Sequence, residues 1–245
     1  MGVSGFTFGH NLIECGFPII EAVNAVKPYV DEIIAVDIES TDLTPEVYQK
    51  LGCTIIKGKL MSNFKTAYCE HIHCKYDDII FFEADEIFED RLLKRIHELI
   101  DQQHTGYSVH RLQLEQNFQR CRWYPYPIHR VIRKGHNSYM NSPVISPPWS
   151  KIIGSEFGYM WDVSACFRDN WKPRREKAKL FWNAVRNLRV SEHFATTNTY
   201  DDEDKMLNEP QWLWKETPFA IPPILKHLMG MTKYEHWAHK WLKDE

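Results

Sequence analysis

The stretch Asp78-Ile79-Ile80-Phe81-Phe82-Glu83-Ala84-Asp85-Glu86 runs an apolar strand straight into three acids within four residues. Side chains alternate along an extended chain, so Glu83 and Asp85 share one side and together suit a hard divalent cation at a strand's C-terminal end. Such an ion most naturally clamps a diphosphate. A strand followed by a helix with an acidic first turn explains Glu89 and Asp90, since Asp90 can cap that helix and favours its positive N-terminus. It explains Glu83 and Asp85 less well, because Asp and Glu are poor strand formers and costly to bury unpaired.

A bound diphosphate requires basic partners. Lys65 precedes the acidic strand, Arg130 and Arg133 fall in His129-Arg130-Val131-Ile132-Arg133-Lys134, and Lys172, Arg174 and Arg175 belong to a later basic block. Arginine suits bidentate phosphate contacts better than lysine. The cluster Cys69-Glu70-His71-Ile72-His73-Cys74 invites a zinc reading. On a helix, however, positions 71 and 73 lie about 200° apart, and only 69 with 73 or 70 with 74 could share an ion. His193 reads as a packed core histidine.

The elements that must position these groups come in strand and helix alternation. Residues 3–8 read as a strand, 18–26 as a helix with Ile19, Ile20, Val23 and Val26 inward, and 32–37 as a strand. A helix over 45–51, a strand over 53–57 and a helix over 63–74 lead to the strand ending at Asp85, and a helix over 90–102 follows. Short βαβ units of this kind feed a parallel sheet. Four parallel strands with three crossovers make half of a doubly wound sheet, whose ligand crevice lies at the strands' carboxyl ends, where Asp37 and Asp85 both sit. Beyond, 106–114 and 128–133 read as extended, 136–160 as a long proline-bearing loop suited to a lid, and 173–188 as a basic helix. The tail is rich in Trp and Pro, including Trp212, Trp214, Trp237 and Trp241.

At 245 residues, 43% hydrophobic and 26% charged, the chain is long enough for one large α/β core with an appendage. The net charge of −3 supplies no general attraction for nucleic acid. No apolar run approaches the roughly 18 residues that span a bilayer, and the N-terminus lacks a basic, then hydrophobic, signal segment, so a soluble cytoplasmic protein is expected. Six cysteines are spread singly without a Cys-x-x-Cys pair, which argues for reduced thiols.

Two further pieces turn the acidic strand end into a pattern. Gly5-Phe6-Thr7-Phe8-Gly9-His10-Asn11 and Ala35-Val36-Asp37-Ile38-Glu39-Ser40-Thr41-Asp42-Leu43-Thr44 resemble the start of family 2 glycosyltransferases of the GT-A fold, in which a strand ending in Asp is followed by Ser-Thr-Asp-x-Thr. Glu83-Ala84-Asp85-Glu86 then falls where that family carries its Asp-x-Asp metal motif. The resemblance covers residues 3–90, extends loosely through 126–135 and fades afterwards.

The resemblance implies a GT-A (Rossmann-like), mostly parallel sheet flanked by helices, with a catalytic domain over 1–170. A smaller, helical, Trp-rich extension over 171–245 would pack on or cover the active site. It implies transfer of a sugar, with inversion, from a nucleotide-diphosphate donor, a UDP-sugar, to a hydroxyl acceptor on a glycan or a hydroxylated DNA base. Phe6, Thr7 and Asp37 would contact base and ribose, and Lys65, Arg130 and Arg133 the diphosphate. Asp85 would ligate Mn²⁺ or Mg²⁺, while Glu83, in place of the motif's first Asp, would reach the ribose or the metal through water. Glu86 would face the other way and cap the next helix or position the acceptor. For the general base, Glu156 is preferred over Asp162; Asp162 also stands where many relatives carry a metal-ligating His. Turn chemistry remains an alternative for Asp37 and Asp42, because Asp and Ser favour turns through local hydrogen bonds. Two rivals stand beside this reading: a non-catalytic binding module of the same fold, and a nucleotidyltransferase, which would normally show a Gly-rich basic loop where this chain reads Gly9-His10-Asn11-Leu12-Ile13-Glu14.

Overall fold

The computed structural model describes residues 2–59, 70–100, 106–114, 120–123, 127–134, 151–163, 215–216, 221–231 and 233–244. Its centre is a seven-stranded sheet built around β1 (Val3–Gly9), which pairs in parallel with β2 (Glu32–Ile38) on one side and β4 (Asp78–Phe81) on the other. Outside β2 lies β3 (Thr54–Gly58), also parallel. The chain therefore winds outward from β1 to β3 and then crosses back to β4, which puts a topological switch point between β1 and β4. Beyond β4 come β9 (Ile128–Arg133), the one reversed strand, then β6 (Gly106–Val109) and the short edge β10 (Lys151–Ile152).

Both faces of this sheet are apolar, as a parallel sheet covered on both sides requires. One face carries Val3, Ile33, Ala35, Ile80 and Phe82 against the crossover helices. These are α1 (Ile19–Val26), α2 (Thr44–Lys50) and α3 (Asp90–Leu99). Pro18 and Pro45 stand at the starts of α1 and α2, where a missing N–H costs no helical hydrogen bond. The other face presents Phe6, Phe8, Ile34, Val36, Ile79, Phe81 and Ile132.

A second, five-stranded sheet was not legible in the sequence. It has the order β12-β8-β7-β11-β5, with β5 (Glu86–Phe88), β7 (Arg111–Leu114), β8 (Arg120–Trp123), β11 (Met160–Asp162) and β12 (Lys215–Glu216). The extended run 106–114 breaks at His110 and serves both sheets, and the segment expected as a long loop contributes β10 and β11. The acidic strand is also shorter than expected: it ends at Phe81, and the acids lie on the connection to β5.

Apart from β12, the described part of the C-terminal extension packs behind α1 and α2. Leu225, Leu228 and Tyr234 join the main core, and α4 (Tyr234–Lys243) lies along the helices. The Glu21 carboxylate on α1 receives hydrogen bonds from His227 Nε2 (2.7 Å), Tyr234 OH (2.6 Å) and Trp237 Nε1 (2.9 Å). Lys50, at the end of α2, donates to the carbonyls of Trp241 (2.8 Å) and Leu242 (3.2 Å) at the end of α4. Residues 221–231 and 233–244 thus pack on the helix side of the sheet. Among the described residues no helix is long and apolar enough to cross a membrane. Lys65, Lys172, Arg174, Arg175, His193, Trp212 and Trp214 lie outside the described residues, as does most of the helix read over 63–74, of which Glu70–His73 forms a 3₁₀ turn.

Candidate active site

The carboxyl ends of β1 and β2 are laced together by the residues that carry the family resemblance. Asn11 N–H donates to Ser40 Oγ (2.9 Å), and Thr41 N–H donates to Asn11 Oδ1 (2.8 Å). Asp42 accepts from Glu14 N–H through one oxygen (2.8 Å) and from Thr44 N–H through the other (2.9 Å), while Thr44 Oγ1 accepts from Leu12 N–H (2.9 Å). The Ser-Thr-Asp-x-Thr run is therefore a fastener between two loops, and Asp42 performs turn chemistry. Both loops pass through left-handed backbone at non-glycine residues, Asn11 (φ 47°) and Glu39 (φ 49°). Such conformations cost of order 1 kcal/mol or more and persist only where surrounding structure imposes them, as this lacing does.

Against this wall, Thr7 and Asp37 share the helix-facing side of the sheet with Tyr48 of α2. Thr7 Oγ1, Asp37 Oδ1 and Tyr48 OH are buried, and none has a well-formed hydrogen bond within the described residues. Burial, with help from Cys53 and Asp37, pushes the Tyr48 phenol well above its ordinary pKa, so it stays protonated. Tyr48 has only the Thr7 hydroxyl to turn to, and three buried polar atoms so poorly satisfied are an expensive arrangement unless a ligand or water meets them. Phe6 behaves differently from the expectation. It is wholly buried on the opposite face, 6.0 Å from the Phe81 ring and 6.5 Å from Phe8, so it is core and not a base contact. Tyr48 was missed by sequence reasoning, which read residues 45–51 only as a helix.

The acids form a turn across the switch point. Phe82 N–H still donates to Phe6 O (3.0 Å), which continues the ladder by one bond, and the chain then reverses with Glu86 N–H on Glu83 O (3.1 Å). Glu83 and Asp85 thus lie on a turn and not on one side of a strand. Glu86 neither caps α3 nor faces an acceptor: it is buried and accepts from Arg130 Nε (2.7 Å) and from Glu83 N–H (3.0 Å). Arg130 Nη2 also reaches Glu83 Oε1 (3.4 Å). Burial and the Glu86 carboxylate push Glu83 up to about 7, against the pull of Arg130 and Arg111. With 35% of its side chain exposed, Glu83 still meets water.

Asp162 is brought to this turn. It stands opposite Glu86 in the β5–β11 ladder, Val163 N–H donates to Asp85 O (2.9 Å), and Arg111 Nη1 lies 3.5 Å from its carboxylate. Arg111 was not anticipated; its signal was a charge heading the buried run Leu112-Gln113-Leu114. Among the described residues the turn and its neighbours hold four carboxylates, Glu83, Asp85, Glu86 and Asp162, against the guanidiniums of Arg111 and Arg130, a formal excess of two negative charges.

Two expected residues are elsewhere. β9 runs against β4, so Arg130 reaches the carboxyl end while Arg133 falls opposite Asp78 at the amino end, 3.9 Å from its carboxylate. Glu156 lies on an exposed 3₁₀ turn (Ser155–Phe157), beyond the Met160–Phe88 end of the β11–β5 pair and away from Asp85. Among the described residues no three His, Cys, Asp or Glu side chains are placed to enclose a metal. A small hard ion does not need such a cage, because Mg²⁺-type sites use one or two carboxylates and take the rest from phosphate and water. The excess negative charge at the turn suits that arrangement.

No family model matches the chain. In sequence it is similar to curated proteins named "Uncharacterized glycosyltransferase": one from Rickettsia felis, 32% identical over 111 residues (43% of this chain, 39% of the relative), and one from Rickettsia bellii, 32% identical over 131 residues (51% and 44%). The chain thus matches less than half the length of these relatives. Among solved structures it overlaps Staphylococcus aureus TarS 1–349 at 14% identity and a TM-score of 0.44 (85% of this chain, 78% of that one). It also overlaps Mycobacterium tuberculosis glucosyl-3-phosphoglycerate synthase in complex with Mn²⁺, UDP and glucosyl-3-phosphoglycerate, at 16% identity and a TM-score of 0.38 (46% and 44%).

Proposed function

We propose that this chain is a GT-A glycosyltransferase that moves a sugar from a nucleoside-diphosphate donor, a UDP-sugar, to a hydroxyl acceptor with the help of Mn²⁺ or Mg²⁺. The observation that carries the reading is the meeting, at one switch point, of buried, poorly satisfied oxygens at the ends of β1 and β2 with an acidic turn at the end of β4. A nucleotide sugar needs both: polar groups for the nucleoside and a cation site for the diphosphate. The names of the sequence relatives support the same class.

In this reading Thr7 and Asp37 receive N–H and O–H groups of the base and ribose, and Asp85 holds the ion. The ion, when bound, would stabilise charge on the departing diphosphate as a Lewis acid. Asp162 is the general base of an inverting transfer: it takes the acceptor's hydroxyl proton as that oxygen bonds to the anomeric carbon and the carbon–phosphate-oxygen bond breaks. Arg111 stands beside it, with Nη1 3.5 Å from the carboxylate, and holds it in place. Glu156 has no part in this, because it lies at the other end of the strand pair. A glycan is the acceptor class that fits best, as a net charge of −3 offers nothing to draw in DNA with hydroxylated bases.

A thermal-shift panel of UDP, GDP, CDP, ADP and dTDP, each with and without Mn²⁺, on the wild type and Asp85→Ala tests the reading. Stabilisation by one nucleotide that needs both Mn²⁺ and Asp85 is expected. No response to any pair sinks the assignment and leaves a binding module of the same fold.

A further inference from the structure

We propose that Arg130 and Glu86 are positioning residues, a built-in brace that fixes the backbone of the Glu83–Glu86 turn and holds the Glu83 carboxylate to one side. In the functional reading above, on which this last consequence rests, Asp85 is then the acid of the turn that meets the cation.

The pair is buried to an unusual degree, with the side chains of Arg130 1% and Glu86 2% exposed. Its contacts run in both directions. Glu86 Oε2 accepts from Arg130 Nε (2.7 Å) and from the turn's own Glu83 N–H (3.0 Å), so one oxygen ties β9 to the turn. Arg130 Nη2 donates to Glu86 Oε1 and reaches Glu83 Oε1 at 3.4 Å, Nη1 donates to His129 O (3.1 Å), and the guanidinium lies 4.9 Å over the Phe81 ring, the last residue of β4. The guanidinium thus fastens the end of one strand, both acids flanking the turn and the reversed neighbouring strand.

Stability alone does not account for such a pair. Desolvating two charges costs several kcal/mol, and apolar residues of similar volume often do as well or better. What an apolar pair cannot do is hold a carboxylate and a turn amide in one place, and a lysine lacks the planar fork for it. Removing both members together also leaves the formal charge around the turn unchanged. Geometry can therefore be tested apart from electrostatics.

The experiment compares the wild type with Arg130→Met, Arg130→Met/Glu86→Leu and Arg130→Lys as full chains. Urea denaturation measures stability, and hydrogen exchange on the ligand-free protein measures protection of the Glu83 and Glu86 amides. Arg130→Met is expected to lose stability and the double variant to recover it. The double variant should nevertheless exchange these two amides about tenfold faster or more, the loss of one hydrogen bond to a charged acceptor, and bind Mn²⁺ with UDP about tenfold more weakly. Wild-type protection of both amides in the double variant overturns the brace. Should the double variant not fold, Arg130→Lys decides the matter by the same readout. A wild type that takes up no Mn²⁺ with any nucleotide removes the functional reading, while the exchange result still decides the brace.

Discussion

Glu21→Ala should detach the C-terminal segment from the rest of the fold. Glu21 is a buried carboxylate on the core-facing side of α1, and its three hydrogen-bond donors all come from residues 227–237. The donors differ in what they lose. Tyr234 is fully buried, donates to Glu21 Oε2 at 2.6 Å and accepts from Ile20 N–H at 3.1 Å. Burial and the Glu21 charge both raise its pKa, which keeps the phenol a donor. Losing the carboxylate costs this bond and strands a buried hydroxyl proton, about 2–3 kcal/mol together. His227 is 38% exposed and Trp237 half-buried, so both turn to water at about 0.5–1 kcal/mol each. The whole change is about 3–5 kcal/mol, a large share of the roughly 5–15 kcal/mol that holds a domain together.

That loss falls on one place. The other polar anchor of α4, Lys50 on the carbonyls of Trp241 and Leu242, is exposed and contributes under about 1 kcal/mol. An α-helix of ten residues has no stability of its own in water. The segment should therefore melt before the sheet in Glu21→Ala, whereas Glu21→Gln, which keeps one acceptor oxygen, should lose only about 1–2 kcal/mol. Urea denaturation followed by tryptophan fluorescence, with hydrogen exchange over 221–244, measures both. A Glu21→Ala protein within about 0.5 kcal/mol of the wild type, or with unchanged exchange there, refutes the reasoning.

Four other outcomes follow from the geometry. Asp37→Asn should weaken the nucleotide-dependent thermal shift about tenfold in affinity, since it removes a charged acceptor from the β1–β2 crevice; an unchanged titration refutes that role. Arg133→Met should leave nucleotide and metal binding as in the wild type and cost under about 1 kcal/mol, because its 3.9 Å pair with Asp78 lies at the far end of β4. Glu156→Gln should likewise bind Mn²⁺ and nucleotide normally; a lost response in either variant refutes its placement. His129, whose pKa burial and Arg130 lower to about 4, is neutral in the folded protein. The unfolded chain then binds the extra proton between pH 6.5 and 4, so stability is full above about 6.5 and falls as pH drops through that window, by up to about 3 kcal/mol. His129→Leu should flatten this slope between pH 7 and 4.5, and an identical slope in both proteins counts against the assignment.

What the sequence made legible is what local pattern encodes. β1 to β4 and α1 to α3 follow from short-range periodicity, although β4 ends at Phe81 rather than Asp85 and β5 was not expected, and β1 to β4 form the parallel array expected of them. The crossing of the acids with the strand end was also readable, because an acid after an apolar run is a local event. The errors share one cause, which is partners far away in the chain. Glu86 was expected to cap the next helix or position the acceptor, but Arg130, 44 residues on, takes its carboxylate. Glu21 carried no sequence signal at all, because its donors lie 206 to 216 residues away. Arg133 and Arg130 could not be ranked without knowing that β9 runs backwards, since reversal alone sends one to the site and the other to the opposite edge. The second sheet was hidden for the same reason, being assembled from strands of two to four residues whose pairing is mostly non-local. A charged residue that breaks a hydrophobic pattern thus marks a buried interaction, but its partner and its role are set by the direction of strands it never touches in sequence.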